Sequence, residues 1–154
     1  MDALIIFCAT YLIWAILVAG VVYVFFTHEL KRFVVSAVAS LGLAFVLGRA
    51  AEMLWYNPRP FVVGDFAPLI PHAANNGFPS DHMLMAATIA SIVFVYNRRL
   101  GVVLGAAAVA VGAARVLAGV HHVVDLAGAA LIAVAVVALV EYTLTAFSRR
   151  HTTN

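Results

Sequence analysis

The chain has 154 residues, 65% hydrophobic and 10% charged, with a mean hydropathy of +1.05 and a formal net charge of +2. A soluble domain of this length is about half apolar and about a quarter charged, so the composition marks an integral membrane protein. The small charge excess, scattered in pairs of basic residues, does not point to nucleic acid, and the one cysteine, Cys8 in an apolar run, excludes an internal disulfide or a cysteine-ligated metal and reads as packing.

Crossing a hydrocarbon core of roughly 30 Å takes about 20 apolar residues. Residues 3–27 are the first predicted span, and the absence of a basic leader region predicts that it is retained. Residues 33–56 are the second, with Arg49 and Glu52 near its far end. The stretch 57–81 is broken by Pro and Gly and cannot cross. A short third span, 82–97, opens at Pro79-Ser80-Asp81-His82 and is bounded by Arg98 and Arg99. Residues 100–118 and 122–146 complete five spans, an all-α polytopic transmembrane bundle forming one domain over 1–154. Gly101, Gly105 and Gly112 let helices approach closely, which predicts that span four lies in the middle of the bundle and holds Arg115 inside. Apolar residues 61–70 read equally as a segment lying in the interface beside a lipid entry path or as a cap over the bundle.

Lysine and arginine fix the orientation. Lys31 and Arg32, Arg98 and Arg99, and Arg149 and Arg150 all fall on one face of a five-span chain, predicted to be cytoplasmic. The N-terminus is then outside and the C-terminus cytoplasmic. Arg49, Arg59 and Arg115 fall at the other face with His82, His121 and Asp125. Ionisable residues are costly in a membrane protein, so their gathering at one face predicts a site there, on the extracytoplasmic side.

Phosphoryl transfer needs an in-line nucleophile, positive charge around the phosphoryl oxygens and an acid for the leaving oxygen. Arg59 and Arg115 carry planar guanidiniums suited to clamping phosphate. Ser80 or Asp81 can cap the third span, whose free N–H groups favour an anion, with His82 in its first turn. His121 and Asp125 are four residues apart on one helix face, so the carboxylate can hold one ring nitrogen and leave the other to attack. His122, three residues from Asp125, fits this spacing too. Zinc on His82, His121, His122 and Asp125 is the rival chemistry, disfavoured by the paired arginines.

Arg59-Pro60, Pro79-Ser80-Asp81-His82 and Arg115-x5-His121-x3-Asp125, in this order, resemble the three-part signature of the type-2 phosphatidic-acid phosphatase superfamily. The Asp81 variant and the Asn57-Pro-Arg-Pro-Phe61 lead-in are similar to bacterial undecaprenyl-diphosphate phosphatases of the bacitracin-resistance type. The resemblance implies a phosphohistidine mechanism without metal or other cofactor, in the bacterial cytoplasmic membrane. His121, favoured over His122, would attack; Asp125 would orient it; His82 would protonate the leaving oxygen. Arg59, Arg115, Ser80 and the backbone at Asp81, in motifs that also include Pro60 and Pro79, would hold the phosphate. The chain departs at Glu52, where the family has a lysine, and at Ala114, where serine is usual; Arg49 can supply the missing charge or pair with Glu52. The expected substrate is undecaprenyl diphosphate. Phosphatidylglycerol phosphate or phosphatidic acid, or non-catalytic binding of lipid phosphates, are the alternatives. A channel fits poorly, since the charges sit at one face.

Overall fold

A computed structural model describes residues 1–152, with side chains through Arg149, so the expected place of Arg150 lies outside the described side chains. Its helices are α1 (Asp2–Thr10), α2 (Leu12–Tyr23), α3 (Leu30–Leu54), α4 (Pro60–Val63), α5 (Asp81–Tyr96), α6 (Arg98–Leu117) and α7 (Val123–Thr152). No strand forms among the described residues; one isolated β-bridge joins Pro58 to Asn76. The chain is an all-α, multi-pass membrane protein. Four segments are long and apolar enough to cross a bilayer: Asp2–Tyr23, which bends at Tyr11 between α1 and α2, Leu30–Leu54, Arg98–Leu117 and Val123–Arg149. At 16 residues α5 is shorter. The regular helix ends at Tyr23 instead of residue 27, and tighter turn bonds carry the chain on to Thr27, whose N–H reaches the Tyr23 carbonyl (3.1 Å).

The helix at the centre is α5. It packs against α2, α3, α6 and α7, whereas α6 lies to one side against α1, α2 and α5. This corrects the expectation drawn from the glycines of span four. Ala86, Ala87 and Ala90 leave α5 slim enough for neighbours on several sides, while Val102, Val103 and Val109 of α6 stay exposed. Gly101 does serve close approach: a Cβ there would lie 2.2 Å from the Phe94 Cα. Gly105 faces open space and has no such role. Arg115 is buried, as expected, at the far end of α6.

Polar residues concentrate at both ends of the bundle. At one end Glu141 of α7 accepts from Ser36 Oγ (2.6 Å), Tyr96 OH (3.0 Å) and Arg32 Nη2 (3.0 Å), which ties α3, α5 and α7 together. Ser36 is fully buried, so losing its acceptor strands a hydroxyl with no water to replace it. Glu141→Leu is therefore expected to cost about 1–3 kcal/mol, mostly through the stranded hydroxyls, since Arg32 is half-exposed. The thermal unfolding midpoint in detergent measures this; an unchanged midpoint would show that the cluster does not hold the helices.

Candidate active site

The site is built where the 57–80 segment folds over the turn between α6 and α7. Gly119 makes that turn with φ of +78°, a conformation that L side chains rarely adopt. Three successive carbonyls of the turn each receive a donor: Leu69 N–H reaches Ala118 (3.0 Å), Phe61 N–H reaches Gly119 (3.2 Å), and Arg59 Nη1 reaches Val120 (2.8 Å). Ile70 is buried with Ala114, Ala118 and Val120, beside partly buried Cys8. Residues 61–70 are thus tied to the bundle at Phe61, Leu69 and Ile70, while Val62, Val63, Phe66 and Leu69 keep exposed apolar surface, so the segment joins features of a cap and of an interfacial stretch.

His121 follows this turn and Asp125 lies in the first turn of α7; both are buried. His121 Nδ1–H donates to Asp125 Oδ2 (3.3 Å). The same oxygen accepts the His122 N–H (2.8 Å), and Oδ1 accepts from Asn57 Nδ2 (2.7 Å). A carboxylate so placed holds the proton on Nδ1 and leaves Nε2 unprotonated. The His122 ring turns elsewhere, donating from Nε2 to the Pro58 carbonyl (3.2 Å). Geometry thus separates two histidines that spacing could not.

Both guanidiniums converge on the free nitrogen. Arg59 Nη1 lies 3.2 Å and Arg115 Nη2 3.5 Å from His121 Nε2. Arg59 is held by Asn75 Oδ1 at Nε (2.9 Å) and the Asn76 carbonyl at Nη2 (3.0 Å). Arg115 is held far less: Nη1 donates to the Ala9 carbonyl (3.4 Å) beside the α1–α2 bend, and its buried Nε has no partner. Burial and the two positive neighbours keep His121 below the usual imidazole pKa against the pull of Asp125, so the ring is neutral at neutral pH.

Ser80 is the N-cap residue of α5, but its side chain makes no capping bond; its Oγ is buried and unpartnered. Pro79 is buried beside it, and Pro60 opens α4. His82 stands in the first turn of α5, half-buried and within electrostatic reach of Arg115, His121 and His72. Asp81 is turned outward and pairs with Arg49, which also meets Glu52 at 2.7 Å. The pairing of Arg49 with Glu52 is thus borne out, and Asp81 joins it. Among the described residues the trio's side chains make no hydrogen bond to His121, Asp125, Arg59 or Arg115; the link to that cluster runs through the Glu52 carbonyl, which accepts from Asn76 Nδ2 (3.0 Å). Arg49 and Asp81 also line an apolar groove of about 620 Å³ between α2, α3 and α5, with residues including Leu17, Ala37, Phe45 and Ile92.

From the sequence Asn57 had no role beyond the lead-in motif, and three further residues of the site were not singled out: His72, Asn75 and Asn76. Asn76 accepts the Asn57 and Phe78 N–H groups (2.9 and 3.0 Å) and donates to the carbonyls of Glu52 and Trp55 (3.0 and 2.9 Å). The available signal was the Asn75-Asn76-Gly77 run, polar residues with no lipid-facing use.

The sequence profile of the PAP2 superfamily matches residues 33–149. The chain is 31% identical over 137 residues to the bacitracin transport permease protein BcrC of Bacillus licheniformis, covering 87% of this chain and 67% of that one. It is 30% identical over 135 residues to the undecaprenyl-diphosphatase BcrC of Bacillus subtilis, covering 87% and 70%. Among solved structures its fold is similar to that of Aquifex aeolicus LpxE, with a TM-score of 0.76 at 24% identity over 92% of this chain and 85% of that one.

Proposed function

This chain belongs to the PAP2 superfamily, and on that premise we propose that it hydrolyses the terminal phosphate of undecaprenyl diphosphate through a phosphohistidine. The observation that carries this reading is the convergence of Arg59 and Arg115 on the free Nε2 of a histidine whose other nitrogen is held by Asp125. His121 Nε2 attacks phosphorus and forms the P–N bond as the P–O bond to the leaving group breaks. His82 gives its proton to the departing oxygen. Water then attacks the phosphohistidine, giving a proton back to His82 as the P–N bond breaks, which returns the electron pair to Nε2 and releases inorganic phosphate. Arg59, Arg115, Ser80 and the N-terminus of α5 hold the phosphoryl oxygens as charge develops. Since guanidiniums and N–H groups supply the positive charge, the proposed reaction needs no metal. The long isoprenoid tail suits the apolar groove between α2, α3 and α5, and about 30% identity to an undecaprenyl-diphosphatase favours this lipid over phosphatidylglycerol phosphate or phosphatidic acid.

The test is phosphate release by the purified chain from a panel of these lipids, with and without EDTA. Undecaprenyl diphosphate is expected to be turned over fastest, and equally with the chelator. Loss of turnover on chelation, restored by a divalent ion, refutes the metal-free route. No release from any lipid points to a binder of lipid phosphates.

The same reading has α5 as a fifth span in a bacterial cytoplasmic membrane, with the site outside. A 16-residue helix is only about 24 Å long. Wrapped by four other helices, α5 need not match the lipid thickness as an exposed helix must. In a Cys8→Ala background, a cysteine at exposed Val63 should react with an impermeant thiol reagent added to intact cells, and one at exposed His28 should not. Reversed labelling would put the reaction in the cytoplasm.

A further inference from the structure

His72 lies in the 57–80 segment and has no place in the three motifs, yet its ring meets that of His121 edge to face, with centroids 6.1 Å apart. The backbone on either side of it is fixed. Leu69 and Ile70 are tied to the Ala118–Val120 turn, and Asn75 and Asn76 hold Arg59. A half-buried histidine placed against the candidate nucleophile by such a scaffold is not a chance surface residue. Its Nδ1 lies 3.3 Å from the Ala73 carbonyl, which can only accept, so the neutral ring carries its proton on Nδ1 and leaves Nε2 without one.

We propose that His72 is a fourth phosphate-contacting side chain, which takes up a proton as the anion seats and then donates a hydrogen bond to a phosphoryl oxygen. This rests on the phosphatase reading above. The charged and titratable groups facing it are Arg59, Arg115, His121 and His82. Burial, and then the positive charge of Arg59 and Arg115, holds the ring down at a pKa of about 4. A dianion between the guanidiniums cancels their field and attracts the imidazolium, so the proton is favoured only once phosphate is present. The proton comes from solvent and returns there when phosphate leaves. In effect, the site gains a third positive group for its ligand without holding three unpaired charges together when empty.

Tungstate is a suitable probe, being a tetrahedral dianion that brings no proton of its own at neutral pH. Its binding to the full chain in detergent is measured calorimetrically at pH 7, in two buffers of different ionisation enthalpy. Relative to His72→Gln, the parent is expected to take up about one more proton on binding. The dissociation constant should rise about tenfold in His72→Gln. His72→Arg, charged beforehand, should bind tungstate tightly with no such uptake, and this recovery separates a charge role from a merely structural one. In turnover, His72→Gln should raise KM more than it lowers kcat. If His72→Gln binds tungstate like the parent, or if the uptake survives in it and disappears in His82→Gln, the proposal is wrong. A parent that binds no tungstate and releases no lipid phosphate defeats the phosphatase reading itself, and the role of His72 with it. A parent that does both, with an unaltered His72→Gln, defeats only the latter.

Discussion

His121→Ala is expected to leave a folded protein that releases phosphate from its lipid substrate about 10⁴-fold more slowly, or not at all. No other imidazole among the described residues has one nitrogen on a buried carboxylate and the other beside two guanidiniums. Removing it takes away the proposed nucleophile, and the arginines left behind would recover little of that loss. His122→Ala is the contrast. Its ring reaches only the Pro58 carbonyl, while its contact to Asp125 runs through the backbone N–H and survives substitution. Losing one partly exposed side-chain bond is worth about 1 kcal/mol, so turnover should stay within about tenfold of the parent. The assay is single-turnover phosphate release with both variants monodisperse by gel filtration. An inactive His122→Ala beside an active His121→Ala would overturn the assignment.

The residues that carry ordinary helix chemistry were legible in the sequence. Arg49 and Glu52 pair because they are three apart on α3, which follows from helix geometry alone. His121 and Asp125 meet as their spacing suggested, but not on one helix face: α7 begins at Val123, and His121 reaches Asp125 from the turn before it. The limits of each span could be read to within a few residues from where the charges fall. Packing order could not. Glycine spacing in α6 shows that something comes close without saying what, and the partner at Gly101 is Phe94, across the short connection to α5. Nor could the asparagines of the 57–80 segment be assigned. Asn57, Asn75 and Asn76 act on residues 16 to 68 positions away or bridge backbone groups of a fold not yet known. A polar residue in a loop shows no periodicity from which such a partner can be inferred. His72 escaped for the same reason, since only the folded loop brings it to His121.

Replacing each site arginine by lysine should separate the two in a way that their shared charge does not suggest. Arg59 spends its planar fork on four partners: Asn75, the Val120 and Asn76 carbonyls, and His121. Lysine keeps the charge but offers three donors from a single nitrogen and cannot span those directions. Arg59→Lys should therefore release the 57–80 segment from the Ala118–Val120 turn as well as loosen the phosphate clamp. A lower thermal midpoint and a kcat reduced about 10²–10³-fold are expected together. Arg115 is differently placed. It is buried, but it has only a long bond to Ala9 and the contact to His121, and its Nε is unsatisfied. Little of the fold depends on it, so Arg115→Lys should leave the midpoint nearly unchanged. It should still lose activity to a similar extent, because a lysine cannot offer two parallel donors to a phosphoryl group. Thermal melts and steady-state kinetics on the two variants read both quantities. If Arg115→Lys proves the more destabilising of the pair, or keeps full turnover, then its unsatisfied guanidinium is not reserved for the substrate's phosphate.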